Sequence, residues 1–278
     1  MSAPFVDRKD GPNMAIDLFT IGKFTVHGYG LMIGLGFIAA VFVGSYLAKR
    51  RGLSDGDFTN IAIFVLVIGF LGGKILHIIV EFKNFLADPM SVIGSEGFVV
   101  YGGIITGIAT IYVYCRIKKL DFLKYIDLFA AAVPLNQALG RVGCLLAGCC
   151  YGRPTDSRFS LVFPENCCAP AGIKLLPTQP VMAVGNFVFF VIITSYYLST
   201  CPKKKDEEEP AAVRGYIPGI PTAMYLILYS TGRFIIEFFR DDYRGAIGVL
   251  STSQFIAIFT FAAGVCLLAI KLKKAGKS

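Results

Sequence analysis

Charged residues are scarce in this 278-residue sequence: Asp, Glu, Lys and Arg together make up 17%, against 55% hydrophobic residues, and the mean hydropathy is +0.63. That leaves too little polar surface to cover a soluble globular domain and excludes an ordinary cytosolic enzyme. Histidine is nearly absent, with two residues, and no Cys-x-x-Cys or paired histidine accompanies the eight cysteines. No metal ligand set and no soluble cofactor are therefore read from the sequence. There is no convincing internal repeat, so the inverted-repeat signature of many secondary transporters is missing. The segment from Met1 to Val26 carries Asp7, Arg8, Lys9, Asp10, Asp17 and Lys23 and lacks an apolar core before a small-residue cleavage site, so it does not read as a signal peptide.

What the chain has instead is long apolar runs, such as Leu31–Leu47 and Ile61–Val80. Each approaches the ~20 residues that a helix rising 1.5 Å per residue needs to cross about 30 Å of hydrocarbon. Spans are expected near 28–48, 60–82, 98–116, 122–140, 181–200, 216–238 and 246–270, giving an all-α integral membrane protein of about seven transmembrane helices. The whole of 1–278 forms one multi-pass membrane domain. The formal net charge of +8 falls in short loops between apolar runs, which argues against a nucleic-acid partner. Lys49-Arg50-Arg51, Arg116–Lys119, Lys203-Lys204-Lys205 and the tail lysines share one face. The positive-inside rule makes that face cytoplasmic, with the N-terminus outside and the C-terminus inside. A proline-punctuated segment at about 141–180 is then a small extracytoplasmic head, with a short strand near Ser160–Phe163. The oppositely charged blocks of about 201–215 form a solvated cytoplasmic linker.

Polar side chains inside spans are expensive, about 2.5–3.5 kcal/mol for a central Arg or Lys, so they mark candidate function. Asn136, Gln137 and Arg141 lie together at the outer end of the fourth span. Helix–helix hydrogen bonding explains the first two as well as ligand binding does. Arg233, Glu237 and Arg240 recur at i, i+4 and i+7, as if on one helical face. One carboxylate cannot neutralise two guanidinium groups, so an anion such as a phospholipid head group is wanted. Lys74 and His77 in the second span are secondary candidates, because a lone helical histidine more often simply bonds a neighbour. Glycines in GLMIGLG (30–36), YGGIITG (101–107) and GRVGCLLAGCCYG (140–152) allow close helix approach, with Tyr29, Tyr101 and Tyr151 near the interface. Cys144, Cys149, Cys150, Cys167 and Cys168 lie on the oxidising side, where one or two disulfides stapling the head are expected; a zinc site is the rival reading, disfavoured because no Cys-x-x-Cys or paired histidine lies nearby.

In this order, the motifs HGYGLMIGLGF, GGKILHIIVEF, YGGIITG, GRVGCLLAGCCYGRPTD, LPTQP and GRFIIEFFRDD resemble those of the bacterial prolipoprotein diacylglyceryl transferases, from about Ala15 to Lys274. The resemblance implies an enzyme of the bacterial cytoplasmic (inner) membrane. It would transfer the diacylglyceryl group of phosphatidylglycerol to the lipobox cysteine of a prolipoprotein signal peptide, forming a thioether and releasing glycerol phosphate. It also implies Arg141 and Arg233 as the phosphate-binding and catalytic arginines, Glu237 fixing Arg233, and Tyr29 near the head group. Asn136, Gln137, Gly102, Gly103 and Arg240 join the substrate-binding set. Tyr101 stands where many members carry the histidine proposed as base, leaving Tyr101, His27 or His77 for the thiol proton. Cys144, Ala147 and Cys149 replace residues commonly Asn, Asn and Glu, and Lys74 replaces an arginine. The competing classes are an anion or lipid transporter, and a membrane thiol–disulfide protein that uses the head cysteines.

Overall fold

The computed structural model describes residues 17–21, 24–95, 97–165, 167–201, 215–242, 246–248 and 250–276. The readings made for Met1–Ile16 and for the linker's charged blocks at 202–214 lie outside these residues. A hairpin of β1 (Asp17–Ile21) and β2 (Phe24–His27) leads directly into α1 (Gly28–Arg50). It is followed by α2 (Asp55–Val80), two short helices α3 (Phe82–Ala87) and α4 (Pro89–Gly94), then α5 (Val100–Ile117) and α6 (Phe122–Ala147). After the head come α7 (Thr178–Ser199), α8 (Ile220–Glu237) and α9 (Thr252–Ala275). Six of these, α1, α2, α5, α6, α7 and α9, are long and apolar enough to cross a membrane. With its 18 residues interrupted by Arg233 and Glu237, α8 runs beside them as the seventh. The chain is an all-α integral membrane protein of about seven spans. Side chains such as Phe42, Phe70, Ile105 and Ile117 stand exposed around the bundle, as a lipid-facing surface requires.

Helix ends are set by local chemistry. Ser54 caps α2 by accepting from the Asp57 N–H, and Asp121 caps α6 by accepting from Leu123 and Lys124. Ser251 and Gln254 form a reciprocal capping box at the start of α9. The end of α6 differs from expectation: the helix runs to Ala147, past position 140, and stops at Gly148, whose φ of 67° needs no Cβ. Arg141 and Cys144 are therefore helical residues, and the head shortens to 148–177. The head carries two short strands, β3 (Leu161–Val162) and β4 (Lys174–Leu175), close to the strand expected near Ser160–Phe163. It packs on a small core of Phe163, Ala169 and Leu175. Bridging bonds from Arg153 N–H to the Phe239 carbonyl (3.0 Å) and from Asp241 N–H to the Tyr151 carbonyl (3.4 Å) tie it to the chain leaving α8. A last hairpin, β5 (Ala246–Ile247) with β6 (Leu250–Ser251), precedes α9.

At the hub is α6, which packs on α1, α7 and α8. Its Pro134 is buried, a position that membrane helices tolerate when neighbours cover the freed backbone. Asp127, with no exposure, accepts four hydrogen bonds: from Tyr216 Oη (2.7 Å), Gly219 N (2.7 Å), Thr222 N (3.0 Å) and Thr222 Oγ1 (2.5 Å). A carboxylate so held at the N-terminus of α8 also meets the positive end of its dipole. The Arg51 guanidinium lies 3.7 Å from the Tyr216 ring centroid and donates to the Tyr197 carbonyl at 2.6 Å. A residue expected as a loop cation thus clamps α1 onto α7 and the start of α8. Replacing Asp127 by Ala strips the acceptor from buried donors and should cost about 2–4 kcal/mol, with Asp127→Asn costing less. Thermal unfolding in detergent measures both.

Candidate active site

Two backbone-close contacts fix α1 against α6. A Cβ on Gly36 would strike Asn136 Oδ1, and one on Gly143 would sit 3.2–3.3 Å from the Tyr29 backbone. Small residues thus allow the approach that the glycine pattern predicts, and they place Tyr29 beside the turn of α6 that bears Arg141. Tyr29 is 42% exposed and lies within electrostatic reach of Arg141, Cys144, Cys149 and Cys150. Asn136 is held in this helix contact, and Gln137 donates to Tyr225 Oη of α8 at 2.8 Å. The half-buried Arg141 guanidinium makes no hydrogen bond or ion pair among the described residues.

Arg233 is buried and pairs with Glu237 at 2.8 Å, while its Nη2 donates to Ser253 Oγ of α9 at 2.7 Å. Arg240 does not share that helical face: α8 ends at Glu237, and the chain turns before Arg240 bridges Gly152 of the head. Its guanidinium is engaged by Asp242 through Nε (2.9 Å) and Nη2 (2.6 Å). Burial works against the Arg240 charge, but the bonded Asp242 carboxylate and the neighbouring Cys150 sulfur together outweigh it and raise the pKa above the ordinary arginine range. The expectation of two arginines sharing one carboxylate is therefore corrected, because each has its own. Asp242 and Ser253 were not singled out, since a partner beyond a helix end has no periodic signal.

The thiols of Cys144, Cys149 and Cys150 all lie within 4.8 Å of one another, at the end of α6 and its cap. None of the eight cysteines is in a disulfide, which corrects the expected staple. Their helical spacing gathers three sulfurs, where a staple needs an isolated pair. Cys150 adopts a left-handed backbone (φ 62°), rare for a residue with a Cβ. Thr178 Oγ1 donates to the Cys150 carbonyl (2.9 Å) and Gln179 Nε2 to the Cys149 carbonyl (3.0 Å), so the LPTQP motif shapes this turn. Hydrogen bonding with Cys144 and Cys150, followed by burial, raises the Cys149 thiol pKa. Searching for Cys-x-x-Cys missed this group, whereas a search for Cys-x4-Cys-Cys across a helix end finds it.

The second-span candidates are engaged elsewhere. Lys74 Nζ donates to the Ser95 carbonyl (2.6 Å) and His77 Nε2 meets Ser95 Oγ at 3.2 Å, pinning the turn between α4 and α5. Gly102 and Gly103 face the carbonyls of Gly72 and Gly69, which gives both a packing reason. Tyr101 stands at the first turn of α5, 38% exposed. His27 is the residue before α1.

A multi-pass bundle of apolar helices that encloses ion-paired guanidinium groups is a membrane protein with charge held inside it. The chain matches the family described as prolipoprotein diacylglyceryl transferase over residues 17–270. It is similar to the phosphatidylglycerol–prolipoprotein diacylglyceryl transferase of Clostridium tetani (strain Massachusetts / E88), 40% identical over 250 residues, covering 89% of this chain and 94% of the relative. It is also similar to transferase 2 of that name from Clostridium perfringens (strain 13 / Type A), 39% identical over 266 residues, covering 95% and 98%. The corresponding protein of Finegoldia magna (strain ATCC 29328 / DSM 20472 / WAL 2508) is 32% identical over 258 residues, covering 92% and 95%. The chain belongs to the prolipoprotein diacylglyceryl transferase family, and it is a membrane transferase.

Removing one partner of a buried ion pair leaves the other charge stranded. Glu237→Ala should therefore destabilise the protein by about 3–5 kcal/mol, and the double change Arg233→Met with Glu237→Leu by clearly less, as thermal unfolding in detergent would measure.

Proposed function

We propose that the protein transfers the diacylglyceryl group of phosphatidylglycerol to the lipobox cysteine thiol of a prolipoprotein signal peptide, forming a thioether and releasing glycerol phosphate. Family membership supports the reaction, and the observation that carries the site is the charge balance of the arginines. Arg233 and Arg240 have carboxylate partners, while Arg141 has none among the described residues. An unmatched guanidinium at this depth favours a phosphate, which it can bind in a bidentate way.

On this reading phosphatidylglycerol enters from the lipid beside the exposed Tyr29, and its phosphodiester meets Arg141. Gln137–Tyr225 and the Asp127 anchor show α6 and α8 running in the same direction. Arg141 and Arg233 both lie further toward the same end, about 6 and 12 Å of helical rise beyond the Gln137–Tyr225 contact. Attack of the thiolate on the glycerol carbon breaks the carbon–oxygen bond and leaves negative charge on the departing phosphate. Fixed guanidinium groups bind that charge more tightly as it grows, which lowers the barrier. Glu237 and Ser253 hold Arg233 in place. Arg240, bonded to Asp242 and bridged to Gly152, fastens the head over the site. Tyr101, exposed at the first turn of α5, remains a candidate to take the thiol proton.

The head and Arg141 lie at the extracytoplasmic end of the bundle, and Asp127 with Arg51 near the other, in the bacterial cytoplasmic membrane. The basic loops support this orientation by the positive-inside rule. Arg141→Ala should lower glycerol phosphate release from phosphatidylglycerol and a lipobox peptide by about 10²–10³-fold, with Arg141→Lys retaining more activity. Undiminished release by Arg141→Ala, or release that does not require the peptide thiol, would sink the assignment.

A further inference from the structure

We propose that Cys144, Cys149 and Cys150 bind a thiophilic divalent d10 cation, Zn²⁺ in the first instance, whose fourth position takes up the acceptor cysteine as its thiolate. The activation step rests on the transferase reading above, whereas the cation site rests on the sulfurs themselves. Three thiols whose sulfurs all lie within 4.8 Å of one another form one face of a tetrahedron. With zinc–sulfur bonds of about 2.3 Å, the sulfurs of such a site are about 3.8 Å apart, so the widest pair closes by only about 1 Å. A disulfide would use two of the three and strand the third. Cys149 and Cys150 are adjacent, and the left-handed turn at Cys150 belongs to the same chain segment that gathers the three sulfurs. Hydrogen bonds from Thr178 and Gln179 to the Cys150 and Cys149 carbonyls hold that turn, so the arrangement does not depend on a bound ion.

The surrounding charges fit this assignment. Three thiolates around a dication leave one net negative charge, and a fourth thiolate makes it two. The Arg240 guanidinium is within hydrogen-bonding reach of Cys150, and Arg141 is within electrostatic reach of Cys144. Arg240 already has Asp242 as its partner, so it lies against the sulfurs as a bonded donor, and Arg141 supplies the positive charge beside them. Cys144 and Cys150 are buried while Cys149 is partly exposed, which leaves the cation approachable from the Cys149 side. Tyr29, the residue proposed to meet the lipid head group, lies within reach of the same three thiols and of Arg141.

The chemistry balances without an oxidant. A free thiol with a pKa near 8.5 is mostly protonated at neutral pH, and coordination to zinc removes its proton. The acceptor S–H bond breaks, its proton passes to water, and sulfur takes the open coordination position. The cation-held sulfur then gives its electron pair to the glycerol carbon as the carbon–oxygen bond to phosphate breaks. Glycerol phosphate leaves with the bond's electrons against Arg141. The neutral thioether binds zinc weakly and departs, returning the site to its three ligands. In this chain the cation would do what a general base would otherwise do for the thiol.

The test uses the full-length protein in detergent, purified under reducing conditions. Metal content is measured after dialysis with Zn²⁺, and Cd²⁺ is titrated while its sulfur-to-metal absorption is followed, before and after adding the lipobox peptide. The expected result is one Zn²⁺ per chain and a Cd²⁺ spectrum that changes on addition of the peptide thiol but not of its serine analogue. Chelation should slow glycerol phosphate release at least about tenfold, with recovery on adding Zn²⁺ back. Cys149→Ser should lose the metal, and Cys149→His should keep it, which separates a ligand role from a folding defect. An active protein that takes up no Zn²⁺ or Cd²⁺, or whose activity ignores chelation and Cys149→Ser, would overturn the cation site and leave the transferase reading standing. A Cys144–Cys149 disulfide in the active protein would overturn it equally. Stoichiometric metal with no release from phosphatidylglycerol would instead overturn the transferase reading, and the activation step with it.

Discussion

A carboxylate enclosed by helices has no water to solvate it, so the protein must supply donors, and Asp127 shows what this constraint builds. Its two oxygens collect a tyrosine hydroxyl, a threonine hydroxyl and two backbone N–H groups. All come from the few residues that open α8. These bonds fix where α8 starts relative to α6, and because a helix advances a constant distance per residue, they also fix what stands opposite at the far end. Arg51, stacked on the Tyr216 ring, extends the same polar knot to α1 and α7. The positions of Arg141 and Arg233 are consequences of bonds made at the opposite end of the bundle.

The arginines divide by function once their partners are counted. Arg51 spends its charge on a carbonyl, a hydroxyl and two aromatic rings, Arg233 on Glu237, and Arg240 on Asp242. Buried ion pairs of this kind contribute little net stability but hold geometry, since breaking them is costly. Arg141, on the helix that touches most of the others, has no such partner among the described residues. The proposed site is thus supported by paired charges and completed by this one.

Much of this was legible in sequence. Apolar runs gave the spans with ends displaced by up to seven residues, and the glycine spacings marked close helix contacts that the backbone makes between α1 and α6 and between α2 and α5. The ordered motifs pointed to the family. The misses share a cause. Asp127 is not marked by any sequence pattern, because its burial comes from tertiary packing. Arg240 was assigned to a helical face by counting residues through a helix that stops at Glu237. The three thiols were read as head residues because α6 was ended seven residues too soon, at 140, so Cys144 was separated from the helix end that brings it to Cys149 and Cys150.

The contact between α1 and α6 also bears on how the molecule is assembled in the membrane. Gly44 of α1 meets Phe58 of α2 as soon as the second helix is inserted, but Gly36 and the Tyr29 turn find their partners only on α6. During synthesis the chain emerges N-terminal end first, so the first helix waits in lipid with its narrow glycine face uncovered while three further spanning helices are threaded. The wall of the proposed lipid site that is made earliest is therefore completed late, so on this reading the protein engages its lipid only once most of its helices are in place.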